Sequence, residues 1–365
     1  MVEKFAFLVH PRNTLREDMG LLFGPPFRLI PEAALRTALR RLPLPPMVTG
    51  QLHRVDSPQD VAGSIITVPL TPTQLLTLPR NQVQARISAA IDKAKDLGAS
   101  VVGLGALTAP ASAGGKAFAR RTDIGVTNGN AFTAAMTLLA MERLLVRLPA
   151  DTLIALVGAT GSVGTCLTRL LARKHAGRLL LVARNRGRLE TLAEEVRSDD
   201  LAVSVSTDMA DVRNAGLVVL LTSAPEAILR TEHLGQGAVV LDDTVPRNTD
   251  EGLLKSRPDV TIIDGGLVEI PGFDLKGCSI GLAPKLAYAC LAETMLLALS
   301  GHRGHFSIGA PEVHQAEHLL GLAARYRHLG FQLAPFQSFG RKLGAFDYPE
   351  TAPLFSGKEV VTCAA

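Results

Sequence analysis

Residues 158–164 read GATGSVG, three glycines at GxxGxxG spacing between an apolar run, LIALV, and the stretch TCLTRLLARK. In a strand–turn–helix setting each glycine meets a different need. Gly158 allows the tight turn, Gly161 lets backbone amides approach a pyrophosphate, and Gly164 lets the helix lie close on the strand. The helix start, with Thr160, Ser162 and Val163 around it, then offers N–H groups and partial positive charge to phosphates. The chemistry implied is dinucleotide binding. The competing reading is a structural turn.

The end of the next strand selects the dinucleotide. Sites for NAD put an acid there to hold the ribose 2′-hydroxyl. This chain has VARNRGR at 182–188, with Arg184, Asn185, Arg186 and Arg188 and no acid. Arginines can pair with a 2′-phosphate that an acid would repel, so the expected cofactor is NADPH. Arg169, Arg173, Lys174 and Arg178 add to a basic cluster that serves as helix surface or docks an acidic partner. Thr222 and Ser223 follow the fourth strand of the unit, where strand ends border the nicotinamide. Asp242, Asp243 and Asp264 end later strands and read as caps.

The remaining reactive candidate is Cys290, inside GLAPKLAYACLAETMLLALSG at 281–301. That stretch reads as one buried helix with Pro284 in its first turn, and on it alone a cysteine is a small hydrophobe. Cys166 reads as core, Cys278 as turn and Cys363 as tail. No pair has metal-ligand spacing. His314 and His318, or His302 and His305, lack an HExxH context, so no metal is expected.

The elements that must position these residues alternate. Strands at 152–157, 178–182, 215–225, 237–246 and 259–268 interleave with helical stretches, the pattern of a doubly wound parallel α/β sheet. Before them lie strands at 5–9, 64–70 and 100–108, a proline-rich irregular stretch at 21–50, and helices from about 82 and 130. We expect an α/β substrate domain over 1–148, completed by the helix at 282–300. A Rossmann-type domain follows over 149–281, then the cysteine helix and a helical segment over 282–330, and an irregular tail over 331–365. With 47% hydrophobic residues a sizeable core is available. A net charge of +4 and 4% aromatics give no case for nucleic acid. No apolar run reaches the roughly 18 residues of a membrane span. The start of the chain does not read as a signal peptide, nor its end as a prenylation box. Sparse cysteines suit a reducing cytosol, so a cytoplasmic protein, at most peripheral to a membrane, is expected.

Taken in order, VTGQ at 48–51, GNAFTA at 129–134, GATGSVG, VARNRGRLE at 182–190, DGGLVE at 264–269, ACLAETML at 289–296 and FSIG at 306–309 resemble the long-chain acyl-[acyl-carrier-protein] reductases, aldehyde-forming enzymes known from cyanobacteria. The likeness covers most of residues 1–330, and the cysteine helix is its specific part. It implies reduction of a fatty acyl thioester, on acyl carrier protein or CoA, to an aldehyde with NADPH. The aldehyde would pass to a consuming enzyme. It implies that Cys290 is the acyl-accepting nucleophile, and that the nucleotide site includes Gly158, Thr160, Gly161, Ser162, Val163, Arg184 and Arg188.

Covalent chemistry fits that reaction, because an enzyme thioester keeps a carbonyl reactive toward hydride. Six residues past Pro284, Cys290 would gain little from its helix dipole. Its activator would be His302, His305, Lys116 or the nicotinamide. Oxyanion donors would come from the start of the helix at 130, with Asn130 or Thr133; the alternative is a plain N-cap. Two other readings stand beside this one. A non-covalent reductase built like shikimate dehydrogenase would need a Lys/Asp pair. An NADP-sensing protein would bind cofactor without turnover.

Overall fold

The computed structural model describes residues 3–344 apart from 12–15, 17–19, 21–23, 42–43, 176 and 225. In chain order the first unit contains β1 (Lys4–Val9), α1 (Glu32–Arg41), β2 (Met47–Arg54), β3 (Ser57–Thr67), α2 (Pro72–Thr77), α3 (Arg80–Asp96), β4 (Ala99–Leu104), α4 (Thr108–Ala111), β5 (Gly125–Thr127) and α5 (Asn130–Leu145). The second contains β6 (Leu153–Val157), α6 (Ser162–Lys174), β7 (Gly177–Val182), α7 (Arg186–Val196), β8 (Leu201–Ser206), β9 (Leu217–Leu220), β10 (Val239–Asp242), α8 (Glu251–Ser256) and β11 (Thr261–Asp264). The chain continues through β12 (Leu267–Glu269), β13 (Phe273–Gly277), β14 (Leu286–Tyr288), α9 (Ala289–Leu299), α10 (Val313–Arg325), β15 (Gln332–Leu333), β16 (Gln337–Ser338) and β17 (Arg341–Lys342).

The second unit is the expected α/β sheet. Its six strands run in the order β11-β10-β9-β6-β7-β8 and every pairing is parallel. Counted from β6, that is 3-2-1-4-5-6, with the order reversing between β6 and β9. Both faces are covered, so β6 is apolar throughout. Ile154 and Leu156 pack with Leu167, Leu170 and Leu171 of α6. Ala155 and Val157 enter the opposite layer with Val218 and Val240.

The first unit is a second six-stranded sheet, ordered β13-β2-β3-β1-β4-β5. Its centre is parallel and β2 and β13 pair antiparallel. In β1, Phe5 and Phe7 face one layer with α5 and α9 residues. Ala6 and Leu8 face the other, with Val83, Ile87 and Ile91 of α3. Strand β13 carries the chain back to this sheet after the nucleotide unit, and α9 then packs on α5, β4 and β1. Helix α5 touches α6, α9 and α10, so one hydrophobic core runs from sheet to sheet through it.

Several expectations change. The proline-rich stretch at 21–50 contains α1, because EAALRTALRR has an amphipathic period despite its flanking prolines. The strand expected at 64–70 begins at Ser57 as the return arm of a hairpin with β2. The stretch at 281–301 is not one helix. Lys285 has φ +69, and Leu286–Tyr288 pair with β12, so the helix starts only at Ala289. Of the irregular tail expected over 331–365, residues 331–344 contain three short strands, and 345–365, with Cys363, lie outside the described residues.

Candidate active site

Both parallel sheets direct strand C-terminal ends into one cleft of about 1480 Å³. Val9, Thr67 and Leu104 end β1, β3 and β4 on one side, and Val157 and Val182 end β6 and β7 on the other. Crevices beyond strand C-termini at a switch point are where ligands bind in such sheets.

The glycine turn forms the nucleotide side. Gly158 has φ +93, and a side chain there would come within 2.9 Å of the Leu221 backbone. A Cβ on Gly164 would meet Gly158 O at 2.5 Å and Ala159 Cα at 2.8 Å, so α6 can cross β6 this closely only with glycine. Gly161 is the N-cap of α6, leaving the first-turn amides of Ser162 and Val163 at the cleft. This glycine cradle and helix start fit a dinucleotide pyrophosphate. Asn185 caps α7 by accepting from Arg188 N at 3.0 Å. Arg188 in turn reaches over the glycine turn, its Nη2 donating to Thr160 O at 2.8 Å. Arg184, Asn185 and Arg188 line the cleft, while Arg186 turns away to pair with Glu190. Of the wider basic cluster, Arg169, Arg173 and Lys174 pair with Glu195, Glu317 and Glu142 as helix surface. Thr222 is tied to Asn248, and it also accepts from Ala224 N at 3.2 Å; Ser223 stays exposed at the rim.

Cys290 lines the same cleft from the other unit. Because α9 begins at Ala289, the cysteine is the second helical residue rather than mid-helix, in the first turn where the helix dipole acts. Gly129, with φ +77, lies directly on it; a Cβ there would stand 2.2 Å from Cys290 Cβ. Burial nevertheless pushes the Cys290 thiol up to about 12, the charge of Glu293 adding to the shift and the Leu291 N–H opposing it.

Asn130 and Thr133 begin α5 beside it, and both line the cleft. Asn130 Nδ2 donates to Ser162 Oγ at 2.8 Å, and Ser162 in turn donates to Gly309 O, linking the two units. An amide nitrogen has a second hydrogen to give. Thr133 spends its hydroxyl hydrogen on Gly129 O at 2.9 Å. The N-cap is Gly129; Asn128 supports it by accepting from Asn130 N at 3.0 Å. Of the proposed activators Lys116 lines the cleft. His305 accepts from Val126 N at 3.1 Å and His302 stacks edge-on with Phe306; neither lines the cleft.

Two acids take places the sequence reading did not give them: Glu293 was given no role, and Asp243 was read with Asp242 and Asp264 as a cap. Glu293, fully buried on α9, accepts from Phe132 N at 2.9 Å and from Thr127 Oγ1, clamping α9 to the β5–α5 turn. An acid inside the otherwise apolar run ACLAETML was the available signal. Asp243 follows β10 and lines the cleft, whereas its neighbours are consumed by loops. Asp242 accepts from Asn248 N and Thr249 N at 3.1 and 3.0 Å, and Asp264 pairs with Arg247 at 2.6 Å.

Comparison with known proteins bears on the nucleotide unit. Residues 144–264 match the family model for shikimate / quinate 5-dehydrogenase. The chain is 28% identical over 287 residues to the aminotransferase PigE of a Serratia species, covering 77% of this chain and 33% of PigE. It is 29% identical over 197 residues to the long-chain acyl-[acyl-carrier-protein] reductase of Synechococcus elongatus, covering 51% of this chain and 56% of that protein. Over 102 residues it is 29% identical to the glutamyl-tRNA reductase of Methanococcus maripaludis, 27% of this chain and 26% of the relative. The chain therefore spans about a third of the first relative and little more than half of the second. It carries an NAD(P)-binding domain of the oxidoreductase type. Among the described residues no helix is long and apolar enough to cross a membrane.

Proposed function

We propose that the protein reduces a long-chain fatty acyl thioester to the aldehyde with NADPH, through an acyl-enzyme thioester on Cys290. The observation that carries this reading is the shared cleft. A thiol in the first turn of α9 and the glycine turn of α6 border one cavity, larger than the roughly 300–1,000 Å³ of a single-ligand pocket. Its far wall is apolar, with Phe7, Val9, Met47, Ile65 and Leu107, which suits an acyl chain.

In this reading Ser162 and Val163 amides hold the pyrophosphate, and Arg184 and Arg188 hold the 2′-phosphate. The reduced nicotinamide, when bound, supplies hydride to the carbonyl. Cys290 presents that carbonyl by taking the acyl group from its carrier. Asn130, with its remaining N–H, stabilises the developing oxyanion, and Thr133 fixes the turn that carries Gly129. A non-covalent mechanism needs a Lys/Asp pair in the cleft. Among the described residues Asp243 pairs with no lysine and accepts from Thr137 instead, which favours the covalent reading.

The test is intact-protein mass spectrometry after mixing with a long-chain acyl-CoA or acyl-carrier-protein thioester and no NADPH. Wild type is expected to gain one acyl mass and discharge it as aldehyde when NADPH is added. Cys290→Ala is expected to gain none. An unmodified wild type that still binds NADPH would overturn the proposal in favour of the non-covalent reductase or the sensor.

A further inference from the structure

Asp243 stands apart from the other strand-end acids because the fold builds a seat for it. Its Oδ2 accepts from Thr137, one turn beyond Thr133 on α5. Its Oδ1 rests on Gly266, where a Cβ would come within 2.1 Å and φ is +63, so the seat requires glycine. Gly266 O accepts from Ala289 N at 2.8 Å, and Ala289 precedes Cys290. The carboxyl and the thiol are thus anchored through one residue and open on the same cleft.

We infer that Asp243 is a catalytic proton carrier for acylation of Cys290, an inference that rests on the acyl thioester reading above. The Cys290 sulfur forms its bond to the acyl carbon as the thiol proton passes to the Asp243 carboxylate. The carbon–sulfur bond to the carrier then breaks, and the departing sulfur takes that proton from the Asp243 carboxylic acid. The thiol proton of the enzyme becomes the thiol proton of the carrier, so no oxidant, reductant or external acid is needed. The charged groups acting on this pair are Asp242, which ends β10, and Glu293 on α9; Tyr288 and Lys116 line the same cleft, and Arg247 is engaged by Asp264.

Protonation supports the role. Burial pushes the Asp243 carboxyl up to about 7, against the Thr137 hydrogen bond and with the Asp242 charge adding to the rise. Both forms are then populated at neutral pH, as a group that must accept and return a proton requires. A carboxyl raised toward 7 is a stronger base than an ordinary one near 3.9.

The experiment is rapid-quench intact mass spectrometry with palmitoyl-CoA and no NADPH, on wild type, Asp243→Asn and Cys290→Ala, between about pH 5.5 and 9. Asp243→Asn is expected to acylate about 100-fold more slowly or worse, while NADPH binding followed by fluorescence stays unchanged. The wild-type acylation rate is expected to show an ionisation near pH 7 that the variant lacks. Acylation of Asp243→Asn at the wild-type rate would overturn the inference and leave the acyl thioester reading intact. A wild-type profile with no ionisation near 7 would also overturn it, whatever the variant's folding. A wild type that gains no acyl mass removes both.

Discussion

Among single residues, Arg188 bears most on the proposed use of NADPH. Its Nη2 crosses to Thr160 O at 2.8 Å, so the guanidinium stands over the glycine turn. One charge-assisted hydrogen bond contributes about 1.5–3 kcal/mol. Arg188→Ala is therefore expected to lower the preference for NADPH over NADH by about 10- to 150-fold in kcat/KM. Equal losses for both cofactors would show that Arg188 only braces the turn. This residue was readable in the sequence, because a strand end bearing arginines and no acid already speaks for a 2′-phosphate. Asp243 was not readable, since three acids ended neighbouring strands in the same way. Only the contacts of Asp242 with Thr244 and Thr249, and of Asp264 with Arg247, separate the two that cap loops from the one that faces the cleft.

At the scale of elements, the site depends on how α9 starts and what holds it. A helix reading from Gly281 left Cys290 only modest help from the dipole. The left-handed Lys285 and the β12–β14 pairing move the start to Ala289, and the same cysteine joins the first turn. Strand pairing is a long-range fact that local helix propensity cannot anticipate. Glu293 then locks α9 against the β5–α5 turn. Its removal would leave the Phe132 N–H and the Thr127 hydroxyl buried without acceptors. Glu293→Ala is expected to cost about 3 kcal/mol in urea unfolding and to slow Cys290 acylation. If stability falls but the acylation rate of the folded fraction is unchanged, the clamp serves folding alone.

For the whole molecule, pH sorts the acids into two groups. Arg121 beside Asp123 and Arg257 beside Asp259 hold those carboxyls below the usual range. Their contribution is present above the unfolded value of 3.8 and is lost as pH falls further. Asp243 behaves oppositely. Its folded value, about 7, lies above 3.8, so the native state takes up a proton first and gains stability as pH falls through 7. Half-buried His175 and exposed His318 oppose that gain, because desolvation, with the neighbouring His302 and His314 charges for His318, holds both below the ordinary 6.5, so unfolding raises their proton uptake. Comparing wild type with Asp243→Asn cancels the histidines. The wild-type thermal midpoint relative to the variant is expected to rise between about pH 8 and 5. A constant difference across that range would mean that Asp243 titrates as an ordinary exposed acid.

The sequence by itself determined the elements whose period is local. These are the alternating strands and helices of the nucleotide unit, the three glycines whose spacing needs only one strand and one helix, and the arginines at the end of β7. It also carried the resemblance that drew attention to Cys290. Tertiary structure decided what depends on elements far apart in the chain. Through β13 the chain returns to the first sheet, and through the Gly129–Cys290 contact a turn at 129 lies against a helix at 290. The tie from Asn130 through Ser162 to Gly309 joins three segments at the mouth of the cleft. The physical reason is that hydrogen bonds and van der Waals contacts act over a few ångströms of space, whatever the distance along the chain.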